Sequence, residues 1–256
     1  MLESPDIAAL ASHLDGLGRV LLGYSGGVDS ALLAVVATRA LGAGRFLAVI
    51  GRSDSYPEVQ HQGALDIARQ FGVPLLEVAT HELDDPAYRA NSPDRCYYCK
   101  RELWSRLGEL ARERGFTTIV DGTNADDLGE HRPGLRAAGE RAVRSPLADL
   151  GWTKQRIRAA AHALGIPVWD APAAPCLSSR IQYGLTVTPG RLRQVEAAEA
   201  LLRGLGVTGD LRVRHRGDLA SVEVLPEVRA LLVARWDEAK QGLHALGFPR
   251  VELDPR

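Results

Sequence analysis

Short apolar runs alternate with longer amphipathic stretches through the first half of the chain. RVLLGY at 19–24 and the runs at 46–51 and 74–79 read as short buried strands. The stretches 4–15, 28–42 and 57–71 carry apolar positions at helical spacing. Pro57 falls near the first turn of the third helix, where its missing N–H does no harm. A helix over roughly 98–114, the strand TTIVDG at 117–122 and a helix near 153–164 continue the alternation. Such a pattern predicts an α/β fold with a parallel sheet covered by helices on both faces. Ligands of such sheets sit beyond the carboxyl ends of the strands.

The pattern then changes. WDAPAAPCLSSRIQYG holds two prolines and many small residues, with no periodicity, and reads as a functional loop or hinge. Beyond it come a helix near 188–205, strands at 211–216 and 220–225, a helix near 227–246 and a strand at 249–253. These elements predict a small C-terminal α+β domain. The expected division is 1–178 for the first domain and 179–256 for the second.

Charge and composition narrow the function classes. A formal net charge of -1 over 256 residues gives no global field favouring nucleic acid or an acidic membrane. No apolar run reaches the length of about 18 residues that a membrane span needs, and the N-terminus lacks a basic segment, so no secretory signal is expected. The cysteines are Cys96, Cys99 and Cys176, an odd and sparse set that argues for a reducing cytoplasm over a disulfide framework. Lysine occurs only at 100, 154 and 240. Self-association is left open.

SGGVDS, Ser25–Ser30, joins a predicted strand to a predicted helix. Gly26 and Gly27 allow a sharp turn and close backbone approach to a ligand. The helix N-terminus adds about +0.5 of partial charge. Ser25 and Ser30 add hydroxyl donors, completing a cradle suited to phosphate. Asp29 fits if Mg²⁺ bridges the phosphates, because Mg²⁺ pairs one or two carboxylates with phosphate oxygens. The loop differs from the Walker and dinucleotide-binding glycine motifs. It resembles the pyrophosphate loop (PP-loop) of the ATP pyrophosphatases, which include NAD and GMP synthetases and several tRNA-thiolating enzymes. That resemblance implies a Rossmann-like PP-loop ATP pyrophosphatase domain that cuts ATP between its α and β phosphates. A substrate oxygen is adenylated, pyrophosphate leaves, and a nucleophile displaces AMP.

Further motifs narrow the likeness. DGTNADD at 121–127, HRPGLRAAGERAVRSPLADL at 131–150, PCLSSRIQYG at 175–184 and RVRHR at 212–216 together resemble the LarE-type sulfur transferases over nearly the whole chain. These enzymes serve the making of the nickel-pincer nucleotide cofactor of lactate racemase and related proteins. The resemblance implies a small nucleotide substrate, pyridinium-3,5-biscarboxylic acid mononucleotide. Its carboxylate would be activated by ATP and converted to a thiocarboxylate. Cys176 stands where the family places its sulfur-handling cysteine, and in single-cysteine members that residue gives up its own sulfur. Cys96 and Cys99 depart from that pattern. Cys-x-x-Cys suits half a zinc site, a redox pair, or two ligands of an iron–sulfur cluster. The resemblance to three-cysteine relatives implies a [4Fe-4S] cluster held by Cys96, Cys99 and Cys176, with sacrificial Cys176 as the alternative.

Arg212, Arg214 and Arg216 alternate along one strand and so share a face. The resemblance assigns Arg212 and Arg214 to a substrate phosphate, joined by Ser179 and Arg180, and gives Arg216 no such support. Gly122, Thr123 and Asn124 at a strand end, with Asp121, are expected near the adenylate, and Ser53 near adenine or ribose. Asp126 and Asp127 are helix caps or metal contacts. Arg144 is a phosphate contact or a surface ion, and Glu199 and Glu223 are candidate contacts or solvent-exposed carboxylates. Three other functions stay in view: tRNA thiolation, disfavoured by the near-neutral charge; amidation by ammonia, which needs no cysteine; and a non-catalytic ATP-binding protein, which would release no pyrophosphate.

Overall fold

The computed structural model describes residues 4–129 and 133–254. In chain order the elements begin with α1 (Pro5–Asp15), β1 (Val20–Gly23), α2 (Val28–Leu41), β2 (Phe46–Arg52), α3 (Glu58–Phe71) and β3 (Leu75–Ala79). There follow α4 (Pro86–Arg89), α5 (Arg95–Arg114), β4 (Thr118–Val120), α6 (Pro133–Gly139), α7 (Pro146–Asp149) and α8 (Lys154–Ala163). The chain ends with α9 (Pro189–Gly204), β5 (Leu211–Arg216), β6 (Leu219–Val224), α10 (Pro226–Ala234), α11 (Trp236–Ala245) and β7 (Arg250–Leu253). Among the described residues no helix is long and apolar enough to cross a membrane.

The contacts divide the chain into two compact units. One comprises 1–53, 58–82 and 96–173; the other comprises 54–57, 83–95 and 174–256. This differs from a single cut at 178/179. Residues 83–95 are drawn to the C-terminal unit because their polar groups bond there: Val187 N donates to Arg89 O at 2.9 Å and Gly184 N to Asn91 O at 3.1 Å.

The first unit is a parallel sheet of order β3-β2-β1-β4. Its central strand β1 is apolar on both sides, and Val20, Leu21 and Leu22 are fully buried, as a sheet covered on both faces requires. On one face Leu21 and Val49 join Trp104 and Leu107 of α5 and Ala137 and Ala138 of α6. Trp104 lies so close over Gly23 that a Cβ there would stand 2.7 Å from its ring. Helix α2 packs on β1 and β2, with α1 and α8 against α2. Strand order reverses direction at β1, with β2 on one side and β4 on the other. This is the topological switch point where α/β sheets bind ligands.

The second unit builds the sheet β5-β6-β7, with β5 antiparallel and β7 parallel to β6. Gly217, at φ 77°, supplies the left-handed turn of the β5–β6 hairpin. Burial alternates along β5: Leu211, Val213 and His215 point inward, and the three arginines share the other face. The single helix expected over 227–246 is two helices. The break falls at Arg235 (φ −114°), whose guanidinium donates to Leu205 O at 3.1 Å and to Glu238.

Candidate active site

The SGGVDS loop leaves the carboxyl end of β1 and enters α2 at Gly27, its N-cap. Gly27 has no side chain with which to cap, so the first amides of α2 face outward for an anion. Ser30 Oγ donates to Gly27 O at 3.0 Å and accepts from Ser25 N at 3.3 Å; the two serine hydroxyls lie 3.2 Å apart. The turn is therefore braced from within. It is also braced by α3. Gln60 Nε2 donates to Ser25 O at 2.8 Å, and Tyr24 Oη donates to Ala64 O at 3.2 Å. Gly26 adopts φ 71°, and a Cβ on it would stand 2.6 Å from Ala64 Cβ. Both conformation and space require glycine at that position.

The segment after β4 closes on the same helix start. A Cβ on Gly122 would lie 3.1 Å from Ser30 N and 3.3 Å from Asp29 Cβ, so its backbone runs directly over the first turn of α2. Asn124 is fully buried and donates from Nδ2 to Asp29 Oδ1 at 3.3 Å. Asp121 organises the turn: it accepts from Thr123 N, Thr123 Oγ1 and Ser145 Oγ at 3.1, 2.9 and 2.8 Å. Asp126 and Asp127 serve as caps, accepting from Lys154 N at 2.7 Å and Asn124 N at 3.1 Å. Ser25, Gly26, Gly27, Asp29, Ser30, Gly122, Thr123 and Asn124 are thus gathered at the ends of β1 and β4. The motif that follows starts at His131 and Arg132, which lie outside the described residues.

Lys154 was not anticipated from the sequence. Its Nζ stands 2.5 and 2.6 Å from the two carboxylate oxygens of Asp29. The signal available was its rarity, one of three lysines in an arginine-rich chain. The pair is 40% and 22% exposed, so it is worth about 1 kcal/mol or less.

Other expected residues have different partners. Ser53 Oγ donates to the buried Glu82 at 2.5 Å. Arg144 pairs with Asp149 at 2.9 Å and is half exposed, a surface ion pair. Glu199 and Glu223 are neither solvent carboxylates nor open ligands; each holds an arginine, as described below.

Cys96 and Cys99 lie at the start of α5, three residues apart and so on one helix face. Cys176 stands in the C-terminal unit as the N-cap of the 3₁₀ turn Leu177–Arg180. Cys96 is exposed, Cys99 and Cys176 are half-buried, and none is in a disulfide. Three thiols suit iron or zinc by donor chemistry. Among the described residues no group of three or more His, Cys, Asp and Glu side chains is gathered for one metal ion.

In the C-terminal unit a cleft of about 390 Å³ is lined by Ser179, Arg180, Tyr183, Arg214, Arg216 and Arg95, among others. Arg180 donates to Glu199 at 2.9 and 3.3 Å and to Pro175 O at 2.5 Å. This ion pair is buried, 7% and 18% exposed, and Glu199 also accepts from Val213 N at 3.1 Å. Arg214 donates twice to Glu223 at 2.9 Å and to Ser179 O at 3.0 Å. Arg212, expected beside Arg214, pairs with Asp210 at 3.1 Å and is not among the residues lining the cleft. Beneath the strand, His215 bonds Gln194 at 3.0 Å and packs edge-on against Phe248. Burial lowers the His215 pKa, with nearby Arg191 adding to the effect.

Comparison with known proteins fits this site. The NAD synthase family model matches residues 11–114, which span the pyrophosphate loop. Pyridinium-3,5-bisthiocarboxylic acid mononucleotide synthase of Lactiplantibacillus plantarum is 36% identical over 249 residues, 96% of this chain and 89% of the relative. A Synechocystis protein described as uncharacterized is 41% identical over 99% of this chain and 94% of its own length. One from Methanocaldococcus jannaschii is 29% identical over 91% and 88%. With the loop, the sheet order and near full-length identity in agreement, the chain belongs to the PP-loop ATP pyrophosphatases, within the LarE-type sulfur transferase family.

Proposed function

We propose that this ATP-dependent enzyme activates a carboxylate of pyridinium-3,5-biscarboxylic acid mononucleotide and replaces one of its oxygens by sulfur, in the making of a nickel-pincer nucleotide. The observation that carries the reading is the glycine-built anion cradle at the β1–β4 switch point, in a chain 36% identical to a synthase of the bisthiocarboxylic product.

A substrate carboxylate oxygen attacks the α-phosphorus of ATP, and the bond to the β-phosphate oxygen breaks. Pyrophosphate leaves into the cradle of Gly26, Gly27, Ser25 and Ser30. Gly122, Thr123 and Asn124 flank the adenylate, with Ser53 toward adenine or ribose. Lys154 moves from Asp29 to the phosphates and neutralises charge as it develops there. Asp29 would hold Mg²⁺, which would supply positive charge against the phosphates. A sulfur nucleophile then adds to the acyl carbon, AMP departs with the bonding pair, and a thiocarboxylate remains. Ser179, Arg180 and Arg214, which border the cleft, and Arg212, on the same face of β5, would meet the substrate phosphate.

For sulfur delivery, Cys96, Cys99 and Cys176 would hold a [4Fe-4S] cluster, which would supply the sulfur nucleophile without consuming a cysteine. The donor chemistry and the helical spacing of Cys96 and Cys99 support this. The second reading makes Cys176 itself the donor. Arg180 favours it, since its guanidinium bonds the carbonyls of Pro175 and Cys176 and fixes that backbone without the other cysteines. The test is iron and acid-labile sulfide in protein purified without oxygen. About four of each per chain, lost on Cys96→Ala, support the cluster. No iron after reconstitution, with dehydroalanine at position 176 after turnover, establishes the sacrificial route instead.

A further inference from the structure

Asn124 belongs to a segment that the sequence places at the adenylate, yet its own contacts point elsewhere. It is 0% exposed, so its side chain offers a nucleotide no surface to touch. Burying an amide is costly unless its groups are bonded, and here they are. Oδ1 accepts from Asp126 N at 2.9 Å, closing an Asx turn. That bond fixes the sense of the amide. The oxygen must face the N–H, so Nδ2 is the atom turned to Asp29 Oδ1, at 3.3 Å. The backbone is held as well: Asn124 N donates to Asp127 at 3.1 Å, and Ala125 N to Trp152 O at 2.8 Å. The turn after β4 therefore presents a fixed donor to the first turn of α2.

Among the described residues the side chains bonded to Asp29 are Asn124 and Lys154. They differ in kind. Lys154 reaches both carboxylate oxygens from a long, flexible stem and is 40% exposed. The reaction proposed above takes it to the phosphates. Asn124 has no such freedom, and it is the contact that stays on Asp29 once the ammonium has left. Magnesium demands near-ideal octahedral geometry. A carboxylate that is already oriented meets that demand at a smaller loss of rotamer freedom, and carboxylates that ligate metals are themselves hydrogen-bonded for this reason.

We infer that Asn124 is a positioning residue for Asp29: it acts on the metal by orienting the carboxylate, and it does not contact the adenylate. The inference rests on the reading that Asp29 holds magnesium. Its signature is a defect in cation binding with little defect in nucleotide binding.

The test is Mn²⁺ binding to the full-length protein, read by electron paramagnetic resonance with α,β-methylene ATP, which resists cleavage between its α and β phosphates. Asn124→Ser keeps a hydroxyl acceptor for the Asp126 amide and is too short to reach Asp29. It should weaken Mn²⁺ binding about tenfold, while the affinity for the analogue in EDTA changes by less than about twofold. Asn124→Asp keeps the volume and the turn but sets a second carboxylate against Asp29. A divalent cation relieves that repulsion, so Mg²⁺ should raise the melting temperature of this variant by about 2 °C or more beyond its effect on the wild type. Wild-type Mn²⁺ affinity in Asn124→Ser, or a loss confined to metal-free nucleotide binding, would overturn the assignment. So would an Mg²⁺ effect on Asn124→Asp no larger than on the wild type. Asp29→Asn in the same assay separates the two readings. If it loses Mn²⁺ and Asn124→Ser does not, the positioning role fails and the metal reading stands. If it binds Mn²⁺ as the wild type does, the metal reading itself fails and takes the inference with it.

Discussion

The Lys154 ammonium sits 2.5 Å from an oxygen of Asp29, bridging the start of α8 to the first turn of α2. The pair couples a cation at the pyrophosphate loop to the carboxylate proposed to take the metal. Because the pair is weak and part-exposed, Lys154 should matter far more to reaction than to stability. Lys154→Gln should slow pyrophosphate release from ATP by about a hundredfold, as loss of a charge-stabilising donor does. It should change unfolding free energy by about 1 kcal/mol or less. Single-turnover kinetics beside urea unfolding checks both; an undiminished rate would remove Lys154 from the mechanism.

The two loop glycines should respond differently to a methyl group. Gly26→Ala meets Ala64 Cβ at 2.6 Å and keeps a left-handed φ of 71°, so it should cost about 2 kcal/mol or more and abolish ATP binding. Gly27 lies at φ −70°, with its nearest neighbour, Ser25 Oγ, at 3.6 Å. Gly27→Ala should cost under about 1 kcal/mol. Equal effects in chemical denaturation would contradict the packing of α3 on the loop.

How much of this was legible in the sequence follows locality. The strand–loop–helix at 20–41 is written in contiguous residues, and the alternating apolar pattern matches the parallel sheet around it. Lys154 was not legible, since its role depends on α8 starting beside a turn formed more than a hundred residues earlier in the chain. Arg95 was missed for the same reason: Asn91 and Ser178 determine its environment, and neither follows from a local pattern. The face of Arg212, Arg214 and Arg216 was read correctly from alternation, but which of them lines the cleft depends on Asp210, Glu223 and the distant Glu252.

His215 should give the C-terminal unit a pH-dependent stability. Burial lowers its pKa in the folded state, chiefly by desolvation, with Arg191 second. The folded unit therefore resists protonation more than the unfolded chain. Its full stability holds above the unfolded value of about 6.5 and is lost as pH falls from there through the lowered folded value. Melting should drop between pH 7.5 and pH 5, and His215→Gln, neutral throughout, should flatten that part of the dependence. An identical slope in the variant would show that other groups cause it.

The central claim is adenylation followed by sulfur insertion. The most direct test incubates the anaerobic, full-length protein with ATP, Mg²⁺, a sulfide source and pyridinium-3,5-biscarboxylic acid mononucleotide. Pyrophosphate and AMP are then quantified, and the nucleotide product is weighed by mass spectrometry. The account predicts equal amounts of pyrophosphate and AMP, formed only when the mononucleotide is present, and a product in which oxygen is replaced by sulfur. Pyrophosphate release that ignores the mononucleotide, or a product that gains nitrogen from added ammonia and no sulfur, would contradict it.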